Sequence, residues 1–461
     1  MSVEPSSSAA SAGDPGPVPV AGHGASVAWD LLYGALALAG FPYLLWRRYA
    51  RGKDREGWDQ KLGRVPERPP HPRRVWIHAV SVGEARAAQV LDAALRREVP
   101  GAEVVFSTTT PTGQSVARDL YGAERVFYYP LDFSRSVRRA LDRVKPRLIV
   151  LMELEVWPNL TAEAVARGIP VVVVNARLTE RSARNYRRAW ALLGPSFRRV
   201  RRWLAQSDEY AQRLESLGVA AERIEAAGNI KYDAVETKAL TDAERAAARE
   251  AQGFPPDARV LIGGSTHPGE EAALLAAYRL LRERFPGLRL ILTPRHPHRL
   301  DEVQREIAAQ GFPCVRRSDL KARGAEAYAA LAPEDRARAV VLVDTMGELR
   351  GLYRAAEVAF IGGSLIPHGG QNVMEPAGMG LPTVYGPHMH NFAEAVEILK
   401  GCNGSVQVPD AAALPGAFGK LFADPAASHA LGERARAAFL ARQGATKRCV
   451  GYLKGLLDAA K

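Results

Sequence analysis

Trp76-Ile77-His78-Ala79-Val80-Ser81-Val82-Gly83-Glu84 is a short apolar strand pattern that runs into a Ser/Gly turn and then a carboxylate at a helix start. A carboxylate there can act as a general base, because strand-to-helix junctions open onto the ligand crevice of α/β sheets and Gly83 removes a side chain beside it. Glu84 would equally complement the positive end of its helix, and position alone does not separate the two roles. Further on, Leu292-Thr293-Pro294-Arg295-His296-Pro297-His298 sets Arg295 just past a strand, where its planar fork can meet a phosphate. Asp344-Thr345-Met346-Gly347-Glu348 and Phe360-Ile361-Gly362-Gly363-Ser364 follow two more strands. Gly-rich turns of this kind let backbone N–H groups cradle an anion. The pairs His296/His298 and His388/His390 have i, i+2 spacing but no third ligand at a recognised distance, so they read as loop histidines and not as a metal site.

These residues need rigid supports, and the pattern around them is βαβ. The apolar runs Val75–Val80, Val104–Ser107, Leu148–Met152, Val171–Asn175 and Trp203–Ser207 alternate with Ala/Arg/Leu-rich helical stretches. A polar segment, 237–256, reads as a linker. A second set of runs then begins: Val260–Gly264, Leu288–Thr293, Ala339–Asp344, Val358–Gly362 and Thr383–Gly386. The expected architecture is two doubly wound α/β domains facing a cleft, 47–236 and 257–440, followed by a C-terminal helix over 441–461, with ligands at the carboxyl ends of the strands.

Of the 461 residues 47% are apolar and 24% charged, which is ordinary globular composition. The 62 Lys+Arg against 50 Asp+Glu give +12, which suits an anionic partner. No nucleic-acid-binding motif accompanies that charge, so nucleic acid is not expected as a partner. Three well-separated cysteines, Cys314, Cys402 and Cys449, suggest neither a disulfide framework nor a Cys metal site. Residues 1–26, rich in Ser, Ala, Gly and Pro, read as a disordered tail. The run from Val27 to Trp46 approaches the ~20 residues that span a bilayer. Arg47, Arg48, Arg51, Lys53 and Arg55 follow it, which places the rest of the chain in the cytoplasm. Asp30 and Pro42 interrupt the run, so a helix lying in the interface stays open beside a full span. Either way, 27–46 is expected to be a membrane anchor.

The segment His368-Gly369-Gly370-Gln371-Asn372-Val373-Met374-Glu375-Pro376-Ala377-Gly378-Met379-Gly380-Leu381-Pro382 resembles the nucleotide-sugar signature of glycosyltransferases with two facing Rossmann-like domains. Earlier motifs narrow the likeness: His78-x-x-Ser81-Val82-Gly83-Glu84, Thr110-Pro111-Thr112-Gly113, Met152-Glu153-Leu154-Glu155-Val156-Trp157-Pro158-Asn159, Asn175-Ala176-Arg177-Leu178 and Gly228-Asn229-Ile230-Lys231-Tyr232-Asp233. With Ser265-Thr266-His267, Pro294-Arg295-His296-Pro297 and Gly362-Gly363-Ser364-Leu365, the chain from the apolar segment onward resembles the 3-deoxy-D-manno-octulosonic acid (Kdo) transferases of lipopolysaccharide biosynthesis. It departs in the extension before Val27 and in the pair Val373-Met374. The resemblance implies a GT-B type fold and an inverting transfer of Kdo from CMP-Kdo to the lipid A precursor at the cytoplasmic face of the inner membrane, with no metal and no cofactor. It makes Glu84 the general base and Glu153 and Lys231 transition-state stabilisers. It puts CMP against Pro294, Arg295, Met346, Gly347, Glu348, Asn372, Val373, Met374 and Glu375. Glu155 is expected to be structural, buried against basic partners. Two other readings fit the architecture: a different two-domain glycosyltransferase or sugar-nucleotide epimerase, and a non-catalytic protein held at anionic lipid.

Overall fold

Runs of β-branched and leucine residues flanked by helical stretches bury both faces of a strand, and that is the arrangement a parallel sheet requires. The computed structural model, which describes residues 27–39 and 56–459, has two compact units, each built on a seven-stranded parallel sheet. The first unit holds β1 (Arg74–His78), β2 (Glu103–Thr108), β3 (Val126–Tyr128), β4 (Leu148–Met152), β5 (Val171–Ala176), β6 (Arg202–Ala205) and β7 (Ile224–Ala226), in the order β3-β2-β1-β4-β5-β6-β7. The second holds β8 (Val260–Thr266), β9 (Arg289–Pro294), β10 (Cys314–Arg316), β11 (Val340–Leu342), β12 (Val358–Ile361), β13 (Thr383–Tyr385) and β14 (Val406–Gln407), in the order β10-β11-β9-β8-β12-β13-β14. All ten expected runs contain a strand. The four unanticipated strands, β3, β7, β10 and β14, are the sheet edges, two or three residues long. An edge strand pairs on one side only, so it needs no long apolar run that a sequence would display.

Alternation along each strand divides the core into two layers. In the first unit Val75 and Ile77 face Leu91 and Leu95 of the helix Val82–Glu98, whereas Trp76 faces Phe127 and Leu160. The helix Ala445–Ala459 adds Ala445, Cys449, Leu453 and Leu457, spaced four apart, to the first of these layers. This helix therefore packs within the first unit, which comprises the described residues up to Ala234 together with those from Arg442, and the second unit runs Val235–Ala441. The segment 237–256, expected as a linker, lies in the second unit and contains the helix Asp242–Glu250. That helix opens on a complete capping box between Thr241 and Glu244.

Residues 27–39 are helical, while residues 1–26 and the remainder of the expected anchor, 40–46 with the basic residues after it, lie outside the described residues. Among the described residues no helix is long and apolar enough to cross a membrane. Trp29 is buried, and Asp30 does not face solvent alone. Its Oδ1 accepts from Ser134 N at 2.8 Å and Asn159 Nδ2 at 3.0 Å, and its Oδ2 from Ser134 Oγ at 2.5 Å. Ser134 opens the helix Ser134–Val144, whose own N-cap residue, Phe133, offers no side-chain bond. Asp30 is thus a helix cap supplied from a distant part of the chain, which is why an acidic residue sits in an otherwise apolar run.

Candidate functional site

In a doubly wound sheet the crevice opens where successive crossovers turn to opposite sides. In the first unit that point lies between β1 and β4, and Glu84 and Glu153 follow those two strands. Ser81 is the N-cap of the helix Val82–Glu98 and accepts from Glu84 N at 3.2 Å. In return the Glu84 carboxylate accepts from Ser81 Oγ at 2.7 Å and Val80 N at 2.9 Å. Glu84 thus sits in the first turn, where it complements the positive end of the helix as foreseen, and these bonds also hold the carboxylate in one orientation. A Cβ on Gly83 would meet nothing nearer than Ser81 Oγ at 3.8 Å, so the fold does not require glycine there and the space beside Glu84 is open. Gly113 is the opposite case: a Cβ would come within 3.0 Å of the Val80 carbonyl, so glycine lets the helix Pro111–Tyr121 approach the turn.

Glu153 has φ 58°. A non-glycine residue in that left-handed region costs roughly 1–3 kcal/mol, and retaining a charged side chain there points to a use for it. Its Oε1 is 3.2 Å from Lys231 Nζ. Lys231 lies in a short 3-10 turn, Ile230–Ala234, tied down by amides: Asn175 Oδ1 accepts from Ile230 N at 3.1 Å, Asn229 Oδ1 from Lys231 N at 3.0 Å, and Gln206 Oε1 from Asn229 Nδ2 at 3.2 Å. Asn175, Gln206 and Asn229 were not anticipated as positioning residues. Asn175, at φ 60° beside a bulge in β5, is the one whose signal was present, since asparagine tolerates that conformation. The structure therefore brings Glu84, Glu153 and Lys231 to one end of the first sheet.

Burial raises the pKa of Glu84 above the usual glutamate value, with the charge of Glu153 adding to the rise and the bonds from Ser81 and Val80 opposing it. Among the described residues Glu155 shows no basic partner of the kind expected: burial first, then the charges of Glu84 and Glu153, push it up to about 7. His78 is stacked on Tyr129 at 4.0 Å and held neutral by complete burial, its pKa lowered to about 3, so it supports the strand and does not handle protons near neutrality. These shifts give a testable pH dependence. If Glu84 must be ionised to act, the rate falls as pH drops through its raised pKa, at a higher pH than an exposed glutamate, near 4.3, would give. Ser81→Ala removes a bond to the ionised form, so the acid limb of kcat/KM moves to higher pH, while the lost N-cap lowers stability by about 1 kcal/mol. An unmoved acid limb in a folded variant would disconnect the limb from Glu84.

In the second unit the turn of the winding falls between β8 and β12. Gly362 closes tightly on the β8 end, where a Cβ would lie 2.1 Å from Ser265 O. The Gly363-Ser364 turn does not cradle a ligand anion as expected, because the chain fills it. Glu270 Oε2 accepts from Gly363 N at 2.7 Å and His267 N at 3.0 Å, and its Oε1 from Ser364 N and Leu365 N, both at 3.0 Å. Glu270→Gln replaces one acceptor oxygen with a donor facing two N–H groups. Loss of two bonds to a charged group lowers unfolding free energy by about 3 kcal/mol or more, read by denaturant titration; wild-type stability would contradict this role.

The residues expected at CMP stand at the same end of the second sheet. Pro294 ends β9 and pairs with Thr266 of β8, and exposed Arg295 follows it. Met346, 72% exposed, and Gly347 follow β11, and Glu348 is held by Arg317 at 3.1 Å and Lys321 at 2.7 Å. After β12, Asn372 Nδ2 donates to Glu375 Oε1 at 3.0 Å and Asn372 Oδ1 accepts from Met374 N at 3.1 Å. Val373, of these residues, is completely buried, so it seats the loop and presents no surface to a ligand. Two residues of the quoted motifs that had been given no role join this end: the His267 ring lies 4.1 Å from that of His368 and its Nε2 is 3.1 Å from Gln371 Nε2. Burial, then the neighbouring His368, His296 and arginines, lower His267 to about 4. Among the described residues no group of three His, Cys, Asp or Glu side chains is arranged to hold a metal.

Comparison with known proteins adds to this geometry. The family described as 3-deoxy-D-manno-octulosonic-acid transferase (kdotransferase) matches residues 56–234. A 3-deoxy-D-manno-octulosonic acid transferase of Haemophilus influenzae is 34% identical over 84% of this chain and 88% of its own length. One from Bordetella pertussis is 37% identical over 92% of this chain and 98% of its own. Among solved structures, the UDP-GlcNAc 2-epimerase of Neisseria meningitidis superimposes with TM-score 0.51 at 13% identity, covering 82% of this chain and 99% of that one, a likeness of fold alone.

Proposed function

This chain belongs to the Kdo transferase family of glycosyltransferases, and from that premise we propose that it moves Kdo from CMP-Kdo to the lipid A precursor by a single inverting displacement. The acceptor hydroxyl oxygen forms the new bond to the anomeric carbon and its proton passes to Glu84. The bond from that carbon to the CMP oxygen breaks, and CMP leaves with the electron pair. Glu153 supports the positive charge that gathers on the sugar, and Lys231 offsets the negative charge on the departing phosphate. Arg295 and the loops after β11 and β12 hold CMP. These cations suffice in the proposed reaction without a metal. The observation that carries this reading is the fixed, desolvated Glu84 carboxylate at the switch point of the first sheet, within the electrostatic reach of Glu153, which is paired to Lys231. Its charge state also suits the role, since a base with a raised pKa takes a proton more readily. The lipid acceptor places the enzyme at the inner membrane, attached by the apolar segment 27–46 with both α/β units in the cytoplasm.

The test is incubation of the full chain with CMP-Kdo and tetra-acylated lipid A precursor, with and without EDTA, and mass measurement of the lipid. A product heavier by Kdo, formed equally in EDTA, is the expected result. Loss of activity in EDTA that a divalent ion restores would overturn the metal-free step, and Kdo found only on another acceptor would overturn the lipid assignment.

A further inference from the structure

The second unit gathers histidines that stand far apart in the chain. His267 follows β8, His296 and His298 follow β9, and His368 follows β12, so three strand ends deliver imidazoles to one end of the sheet. The His267 ring lies 4.1 Å from that of His368 and 5.4 Å from that of His296, and His298 stacks on His296 at 5.4 Å. His267 is buried, whereas His296, His298 and His368 are exposed, so one imidazole backs the others. Gly363, at φ 66°, permits the close approach: a Cβ there would come within 3.1 Å of the His368 ring and 3.3 Å of the His267 ring. Backbone bonds hold the two in place, since His267 N donates to Glu270 Oε2 at 3.0 Å and the His368 carbonyl accepts from Asn391 Nδ2 at 3.2 Å.

The partners of these rings set their charge. Gln371 Nε2 is 3.1 Å from His267 Nε2, and an amide N–H only donates, so that ring nitrogen accepts and the ring is neutral. Burial first, then His368, His296, Arg299 and Arg295, keeps His267 uncharged near neutral pH. His296 is lowered as well, by desolvation and then by His298, Arg295, His368 and Arg299. The carboxylates beside the cluster do not offset this crowding. Glu270 is taken up by four backbone N–H groups, and Glu271 by Arg299, which also reaches Glu302. An anion arriving here reverses the balance, because an opposite charge within about 4–6 Å favours the protonated form of a histidine. Turning the Gln371 amide puts its oxygen where its nitrogen now stands, so a charged His267 keeps a partner. The donor supplies the anion: Arg295, whose charge already acts on His267, is the residue assigned to its phosphate.

We propose that His267 and His368 form a proton-linked seat for the donor phosphate: the pair is uncharged in the free protein and takes up one proton from solvent when the phosphate binds. The proposal rests on the placement of CMP given above and adds a proton to its binding. The sign follows from linkage. The bound anion raises the proton affinity of the pair, so binding is tighter at low pH and weakens as pH rises, by at most about tenfold per pH unit for one proton. The probe is the methyl ester of CMP, a phosphodiester like the donor, which does not itself titrate near neutral pH. Calorimetry on the full chain, in two buffers of different ionisation heat, reads affinity and proton uptake together. Binding about three- to tenfold weaker at about pH 7.5 than at about pH 6.5, with net proton uptake at the lower pH, is the expected result. Cytidine, which lacks the phosphate, is expected to bind without uptake. His267→Gln combined with His368→Gln keeps side chains that hydrogen-bond but do not titrate, and this variant, shown to be folded by its thermal transition, is expected to lose both the uptake and the pH dependence. Equal affinity across this range in the wild type, with no uptake, overturns the linkage and leaves the CMP placement standing. Undiminished uptake in the folded double variant overturns its assignment to this pair, and equal uptake with cytidine overturns the phosphate as its cause. An ester that binds at no pH overturns the CMP placement itself.

Discussion

Glu84→Gln loses transfer by about 10²–10⁴-fold while CMP binding and fold persist, because an amide of the same shape cannot take the acceptor's proton. The site tolerates the change. The glutamine oxygen can accept from Val80 N, and its NH₂ can turn toward Ser81 Oγ, whose hydroxyl accepts as readily as it donates. Helix Val82–Glu98 keeps its Ser81 N-cap, so the loss of rate is not a loss of structure. Initial rates with CMP-Kdo, taken beside calorimetric CMP binding, separate the two. Transfer near the parental rate would return Glu84 to the role of a helix-start residue.

Lys231→Ala lowers kcat by about 10²–10³ with a much smaller change in CMP affinity, since a cation aimed at a departing phosphate matters most once that phosphate has gained charge. The substitution also frees Glu153, now 3.2 Å from Lys231 Nζ, to repel a phosphate it would otherwise face with its charge paired. The turn itself is held by Asn175 and Asn229, so the backbone has reason to stay in place. Arg295→Ala contrasts with this: as an exposed residue past β9, assigned to the bound donor, it weakens CMP binding in the ground state, and Arg295→Lys does not restore a bidentate contact. Wild-type turnover in Lys231→Ala would remove the lysine from the chemistry.

The strand ends that carry Glu84, Glu153 and Arg295 could be located in advance. Central parallel strands are buried on both faces, so Leu148–Met152 or Val171–Asn175 stands out as an uninterrupted apolar run, and the end of such a run marks where a loop can carry a candidate site residue, as Glu153 follows Met152. The Ser/Gly turn before Glu84 marked a helix start in the same way, and the structure adds that Ser81 caps it. Edge strands left no such trace, because β7 or β14 buries little and needs only two or three residues. The C-terminal helix displayed its apolar stripe at Ala445, Cys449, Leu453 and Leu457, but a stripe does not say which core it will enter.

Local chemistry is written in neighbouring residues: apolar periodicity, caps, turn glycines and the charge of a side chain all act over a few positions, and from them came the two α/β units. Pairing across the fold is written nowhere in such windows. Lys231 meets Glu153 across 78 positions, Glu270 reaches Gly363 across 93, and Asp30 caps Ser134 across 104. Each of these contacts changed a reading: Glu270 occupies a turn that looked ready for phosphate, and Asp30 turns an apparent flaw in a membrane span into the bond that holds its helix to the body. Burial decided the rest, for Glu155 and His78 are ordinary titratable residues until desolvation moves them. A carboxylate's partner and its distance from water are properties of the closed chain, because only folding brings remote backbone donors and low dielectric to the same point.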